Sequence, residues 1–117
     1  MESPTKMADR ANRRSSQRKS PRRTVKIECR KGSLGLGPNL AAGFLDLSEG
    51  GVRLLVKQAM QSGDEVEVML LGYGMKEPIK RLANVCWSVA LETGQHAVGL
   101  RFQKILPYRD VQLLSMP

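Results

Sequence analysis

Asp46-Leu47-Ser48-Glu49-Gly50-Gly51 sets a carboxylate and a hydroxyl two residues apart, between the apolar pair Phe44-Leu45 and the run Val52–Val56. An ionised carboxylate accepts hydrogen bonds, a hydroxyl both donates and accepts, and paired glycines let a ligand approach the backbone. Upstream, Arg13, Arg14, Arg18, Arg22 and Arg23 crowd one short segment. Guanidinium groups grip phosphate with two parallel hydrogen bonds and stack on flat rings. Arginine also matches the O6/N7 edge of guanine, and a carboxylate accepts from base N–H donors. An arm and a turn closing together would therefore hold the phosphate and the base of a guanine nucleotide. The plainer alternative is that Asp46 and Ser48 only brace their own turn through side-chain to backbone hydrogen bonds. The arginines would then be incidental.

Catalysis finds no support in the residue set. Ser48 has Asp46 beside it but no histidine nearby to act as base, and His96 stands alone at a strand start. One histidine and two cysteines do not supply a metal site. Gly35-Leu36-Gly37 lacks the third glycine, the following helix and the downstream acid of a dinucleotide loop. The expected role is binding, without enzymatic activity.

The charge distribution shows which segment meets an anion. The chain of 117 residues carries a net charge of +8. Residues 1–31 hold eleven bases against three acids, so the remainder is neutral and all the net charge lies in the first quarter. Residues 1–17 read as a flexible, polar, basic tail and residues 18–117 as one domain. No apolar export segment and no run of about 20 apolar residues is present, so a cytoplasmic location without membrane insertion is expected. Cys29 and Cys86 are expected as two buried thiols, not a disulfide. Aromatics make up only 4% of the chain, which leaves Phe44, Phe102, Trp87 and Tyr108 as the few large core pieces.

Alternation of apolar and polar residues predicts strands over residues 24–30, 44–48, 52–56, 64–71, 79–90 and 96–102, with a further short one around Leu34 and Leu36. It puts Leu45 and Leu47 on one face, with Asp46 and Ser48 facing outward. It also puts Arg81, Ala83, Val85, Trp87 and Val89 on a shared face. Short strands separated by turn residues argue for an antiparallel barrel. Pro107, Val111 and Leu114 then predict a short C-terminal helix, with Pro107 in its first turn, docked on one end. The fold class is all-β with a C-terminal helix.

Arg18-Lys19-Ser20-Pro21-Arg22 has the spacing Arg-x-x-x-Arg, and Asp46 to Gly51 has the spacing Asp-x-Ser-x-x-Gly. In that order they resemble the two signatures of the PilZ domain, a bacterial receptor for the second messenger cyclic di-GMP. The resemblance extends through Val85-Cys86-Trp87, Gly94 and Val98–Phe102, covering roughly residues 18–115. It implies a six-stranded antiparallel barrel with the ligand on its outer face and no other cofactor. It also implies that Arg18 and Arg22 clamp phosphate and stack on guanine. Asp46 and Ser48 would bond a guanine edge or a phosphate, Gly51 would permit the turn, and Arg23, Gly99 and Arg101 would be accessory. With no output domain, the signal would pass by contact with a downstream effector protein. Arg14 and Arg18 share the four-residue spacing, so the first motif has two registers, and translation begins at Met1 or Met7. Two rival readings are a basic-armed nucleic-acid-binding barrel, which the scarcity of aromatics for base stacking argues against, and a ligand-free protein adaptor.

Overall fold

Six of the apolar alternations in the sequence become strands because a period of two lays the apolar residues on one face of a pleated ribbon. The computed structural model describes Lys19, residues 25–72 and residues 74–115. Six strands follow in chain order: β1 (Lys26–Lys31), β2 (Ala41–Leu47), β3 (Gly51–Val56), β4 (Glu65–Leu71), β5 (Ile79–Ala90) and β6 (His96–Phe102). Helix α1 (Tyr108–Leu114) completes the chain. All pairings are antiparallel, in the order β1-β4-β5-β6-β3-β2.

The two outer strands curl toward each other into a nearly closed barrel. Asn39 ties them by accepting from the Cys29 and Ala41 backbone N–H groups through Oδ1, at 3.0 Å each. The Leu40 N–H adds a 2.7 Å bond to the Cys29 carbonyl. The core is aliphatic: Val52, Leu54 and Val56 of β3 meet Val66, Val68 and Leu70 of β4, all fully buried. Val111 and Leu114 of α1 close one end, with Leu114 against Gly72. Pro107 stands at the N-cap, one position earlier than expected, and its carbonyl receives the Asp110 and Val111 N–H groups.

Four expectations need correction, and β-bulges account for two of them. In β2, Phe44 pairs with Leu54 and Asp46 with Arg53, so Leu45 is an extra residue in the ladder. A bulge breaks the two-residue period, so Leu45 turns outward at 42% exposure and Leu47 stays fully buried. In β5, Val85 pairs with Leu100 and Trp87 with Gly99, which makes Cys86 the extra residue. Val85 faces the core while Trp87 and Val89 face solvent, and Cys86 is an exposed thiol. Tyr108 is also exposed, so the large core pieces reduce to Phe102 and the partly buried Phe44. The fourth correction concerns Leu34 and Leu36, which lie in an open loop between β1 and β2 and form no strand.

Two measurements follow from the core. Leu54→Ala should lower stability by about 2–5 kcal/mol in urea unfolding, whereas Leu36→Ala should stay within about 0.5 kcal/mol. Burial pushes the Cys29 thiol from its ordinary value of 9.0 up to about 11. Between those values the unfolded chain releases this proton while the folded chain keeps it, so stability is lost as pH rises. The loss from this group reaches about 1.4 kcal/mol per pH unit. Cys29→Ala should flatten that part of the alkaline decline, and Cys86→Ala should leave it in place.

Candidate functional site

The β2–β3 connection is a four-residue turn from Ser48 to Gly51. Its ends are joined by the Ser48 N–H donating to the Gly51 carbonyl at 2.9 Å. The Ser48 hydroxyl donates to the same carbonyl at 3.4 Å, and the residue is almost wholly buried, so it does not face outward as the alternation predicts. Gly51 has no room for a side chain, because a Cβ would run into the Leu100 carbonyl oxygen across the ladder. The remaining carbonyls of the turn point toward the C-terminal segment. Gly50 accepts from the Phe102 N–H at 2.8 Å and Glu49 from the Leu106 N–H at 2.9 Å. The motif turn is thus a rigid object held from two sides.

Directly opposed residues in an antiparallel ladder point to the same face. The register therefore lays Asp46, Arg53, Gly99 and Trp87 in one row across the outer surface of β2, β3, β6 and β5. Gly51, Arg101 and Asn84 form the adjacent row. Asp46 stays on the exterior side, as expected, but only 8% of it is exposed. Arg53 donates from Nε to Asp46 Oδ2 at 2.7 Å and from Nη2 to the same oxygen. The hydrogen bond to that carboxylate raises the guanidinium pKa, burial works against it, and the carboxylate's charge adds to the rise.

Trp87 lies across Gly99. A Cβ on Gly99 would fall 2.8 Å from Cζ2 of the indole and nearer still to Nε1 and Cε2. The result is a flat exposed ring, then a guanidinium, then a shielded carboxylate, all on one surface. Such a set suits a flat heterocycle bearing N–H donors, with arginine available to an anion.

Of the residues expected from sequence, Asp46, Ser48 and Gly51 come together at the turn. Gly99 lies in the Asp46 row and Arg101 one row away, with its side chain exposed. Arg18, Arg22 and Arg23 lie outside the described residues. Lys19, in their midst, is described: its N–H donates to the Leu47 carbonyl at 2.7 Å, and its carbonyl receives the Leu47 N–H at 2.9 Å. That bridge sets Lys19 against the edge of β2, immediately before Ser48. Sequence reasoning missed Arg53 and Trp87. The signal for Arg53 was present, since it alternates with buried Val52 and Leu54. No alternation could give Trp87, because the Cys86 bulge reverses its face. Among the described residues no cluster of His, Cys, Asp or Glu could hold a metal ion, and no helix is long and apolar enough to cross a membrane.

The chain is a nearly closed six-stranded antiparallel barrel with one C-terminal helix and an Asp-x-Ser-x-x-Gly turn between β2 and β3. The sequence profile of the PilZ domain matches residues 12–114, and the chain belongs to that family, whose domains are cyclic di-GMP receptors. Comparison with curated proteins and with solved structures gives no match.

Gly99→Val should push the indole off its seat. Trp87 is the chain's one tryptophan, so its emission should shift to the red and become more accessible to iodide, with stability reduced by about 1–3 kcal/mol. Unchanged emission would count against this placement of the ring.

Proposed function

We propose that this chain is a non-catalytic, cytoplasmic receptor that binds cyclic di-GMP on the outer face of its barrel and passes the signal on by contact with a protein. The observation that carries this reading is the Lys19–Leu47 bridge. It sets Lys19, the sequence neighbour of Arg18, beside the residue that precedes the Ser48–Gly51 turn, which supports a reading in which the two motifs act together. In this reading Arg18 and Arg22 pair with the ligand phosphates and stack on guanine, with Arg23 as an added cation. Asp46, oriented by Arg53, accepts from the guanine N–H edge. Ser48 and Gly51 keep the turn in shape, and Gly99 gives Trp87 a seat from which it can stack on a base. Arg101 contributes long-range attraction from the neighbouring row.

The receptor needs no group that breaks bonds, since recognition rests on charge-assisted hydrogen bonds and stacking. Asp46 and Arg53 play complementary parts. A carboxylate shielded from water is a stronger acceptor than a solvated one, and the guanidinium orients it through two hydrogen bonds to Oδ2.

Isothermal calorimetry with cyclic di-GMP tests the assignment. Arg22→Ala and Asp46→Ala should each weaken binding by about 1–3 kcal/mol. Trp87→Ala should cost a similar amount through lost stacking, and Trp87→Phe less. Titration should also quench Trp87 fluorescence. No heat with the unaltered chain, or equal binding by the Asp46 and Arg22 variants, would sink the proposal.

A further inference from the structure

The bulge at Cys86 does more than expose one tryptophan. From that point the two-residue spacing carries Trp87, Val89 and Leu91 to the outside, at 40%, 53% and 37% exposure. Val89 is paired with Ala97, Ala97 with Leu55, and Leu55 with Gly43. Leu55 Cδ1 reaches to 3.1 Å from where a Gly43 side chain would begin. One apolar face therefore runs over three strands, and it borders the Asp46–Arg53 row through Trp87.

Water-facing aliphatics on adjacent strands are uncommon in a small domain and mark a contact surface. The two strand spacings from β3 to β5 make this face about 10 Å wide, and Trp87 to Leu91 makes it about 13 Å long. Those are the dimensions of one side of a two- to three-turn helix. Its rim is cationic. Arg101 flanks it near the turn and Lys57 follows β3 at the other end, both exposed. Neither pairs with a carboxylate among the described residues, and Lys57 reaches only the Asn39 carbonyl, at 3.5 Å. Glu92 lies in the hairpin after Leu91. Trp87, Val89 and Leu91 are exposed while Leu55 and Ala97 are half-buried, so the face is flat-lying apolar surface on the sheet.

We infer that the Leu55–Trp87–Val89–Leu91–Ala97 face is the output surface of this chain, and that its occupant is an amphipathic helix of a partner protein with acidic residues flanking its apolar stripe. This rests on the receptor reading in so far as Trp87 belongs to both surfaces, so ligand over the indole changes what the helix meets. Leu55, Val89, Leu91 and Ala97 belong to the docking face alone.

The full-length chain carrying p-benzoylphenylalanine in place of Val89, and a control carrying it in place of Leu36, is irradiated in its native cells. The Val89 position should give an adduct that the control lacks. Mass spectrometry should map it to an acidic amphipathic helix in one other protein. A synthetic peptide of that helix is then titrated into the purified chain. Val89→Asp and Ala97→Glu should each weaken it by tenfold or more, with the thermal transition and the heat of cyclic di-GMP binding unchanged. Adducts identical to the control's, adducts only to a second copy or to lipid, or peptide binding unaffected by both variants would overturn the inference. Peptide binding that persists in a preparation giving no heat with cyclic di-GMP would leave the docking face standing and defeat the receptor reading alone.

Discussion

A β-strand has two faces, and in a barrel this small one of them must supply the core. Every strand of this chain obeys that constraint, and the features of interest are where it is locally broken. The interior is filled almost wholly by Val and Leu from alternating positions. With so few aromatics, stability depends on continuous contact between aliphatic side chains and on few voids. A residue that leaves this register does so because the ladder admits an extra residue there. Bulges at Leu45 and Cys86 do so in β2 and β5, the two strands at the ends of the Asp46–Trp87 row.

The bulges bring together residues that sequence spacing keeps apart. Asp46 and Trp87 are 41 positions apart in the chain and become members of one row because β2 and β5 flank the β3–β6 pair. Between them Arg53 carries positive charge to the carboxylate, and Gly99 leaves the space that the indole fills. A glycine is needed there for its missing side chain, not for any unusual backbone angle. Gly51 serves a similar purpose against the Leu100 carbonyl. Both let one group lie unusually close to a neighbouring strand, which is a common use of glycine within a sheet.

The turn that carries the motif is also joined to the end of the chain. Phe102 and Leu106 donate to successive carbonyls of Gly50 and Glu49, and Leu106 is wholly buried just before α1. A displacement of the turn would strain those two hydrogen bonds and the packing of Leu106. The motif turn, the end of β6 and the segment leading into α1 are therefore mechanically linked. That suits a receptor of the PilZ family with no second domain among its described residues.

Composition and alternation were enough to read six strands, a terminal helix, an antiparallel barrel, the Asp46–Gly51 turn and a charge gathered in the first quarter of the chain. These are local properties: a two-residue period, a glycine pair after a hydroxyl and a run of arginines are visible without neighbours. The side on which Arg53 lies could be read in the same way. The exposure of Trp87 and Val89, the outward turn of Leu45, the shielding of Asp46 and the open position of Cys86 came only from the tertiary structure. A bulge is a property of two paired strands, set by how the partner's ladder and the packing beneath it tolerate one extra residue, and no residue type at Leu45 or Cys86 announces it. The opening motif was therefore legible as a turn, while the row of groups that completes its surface was decided by the way the strands pair.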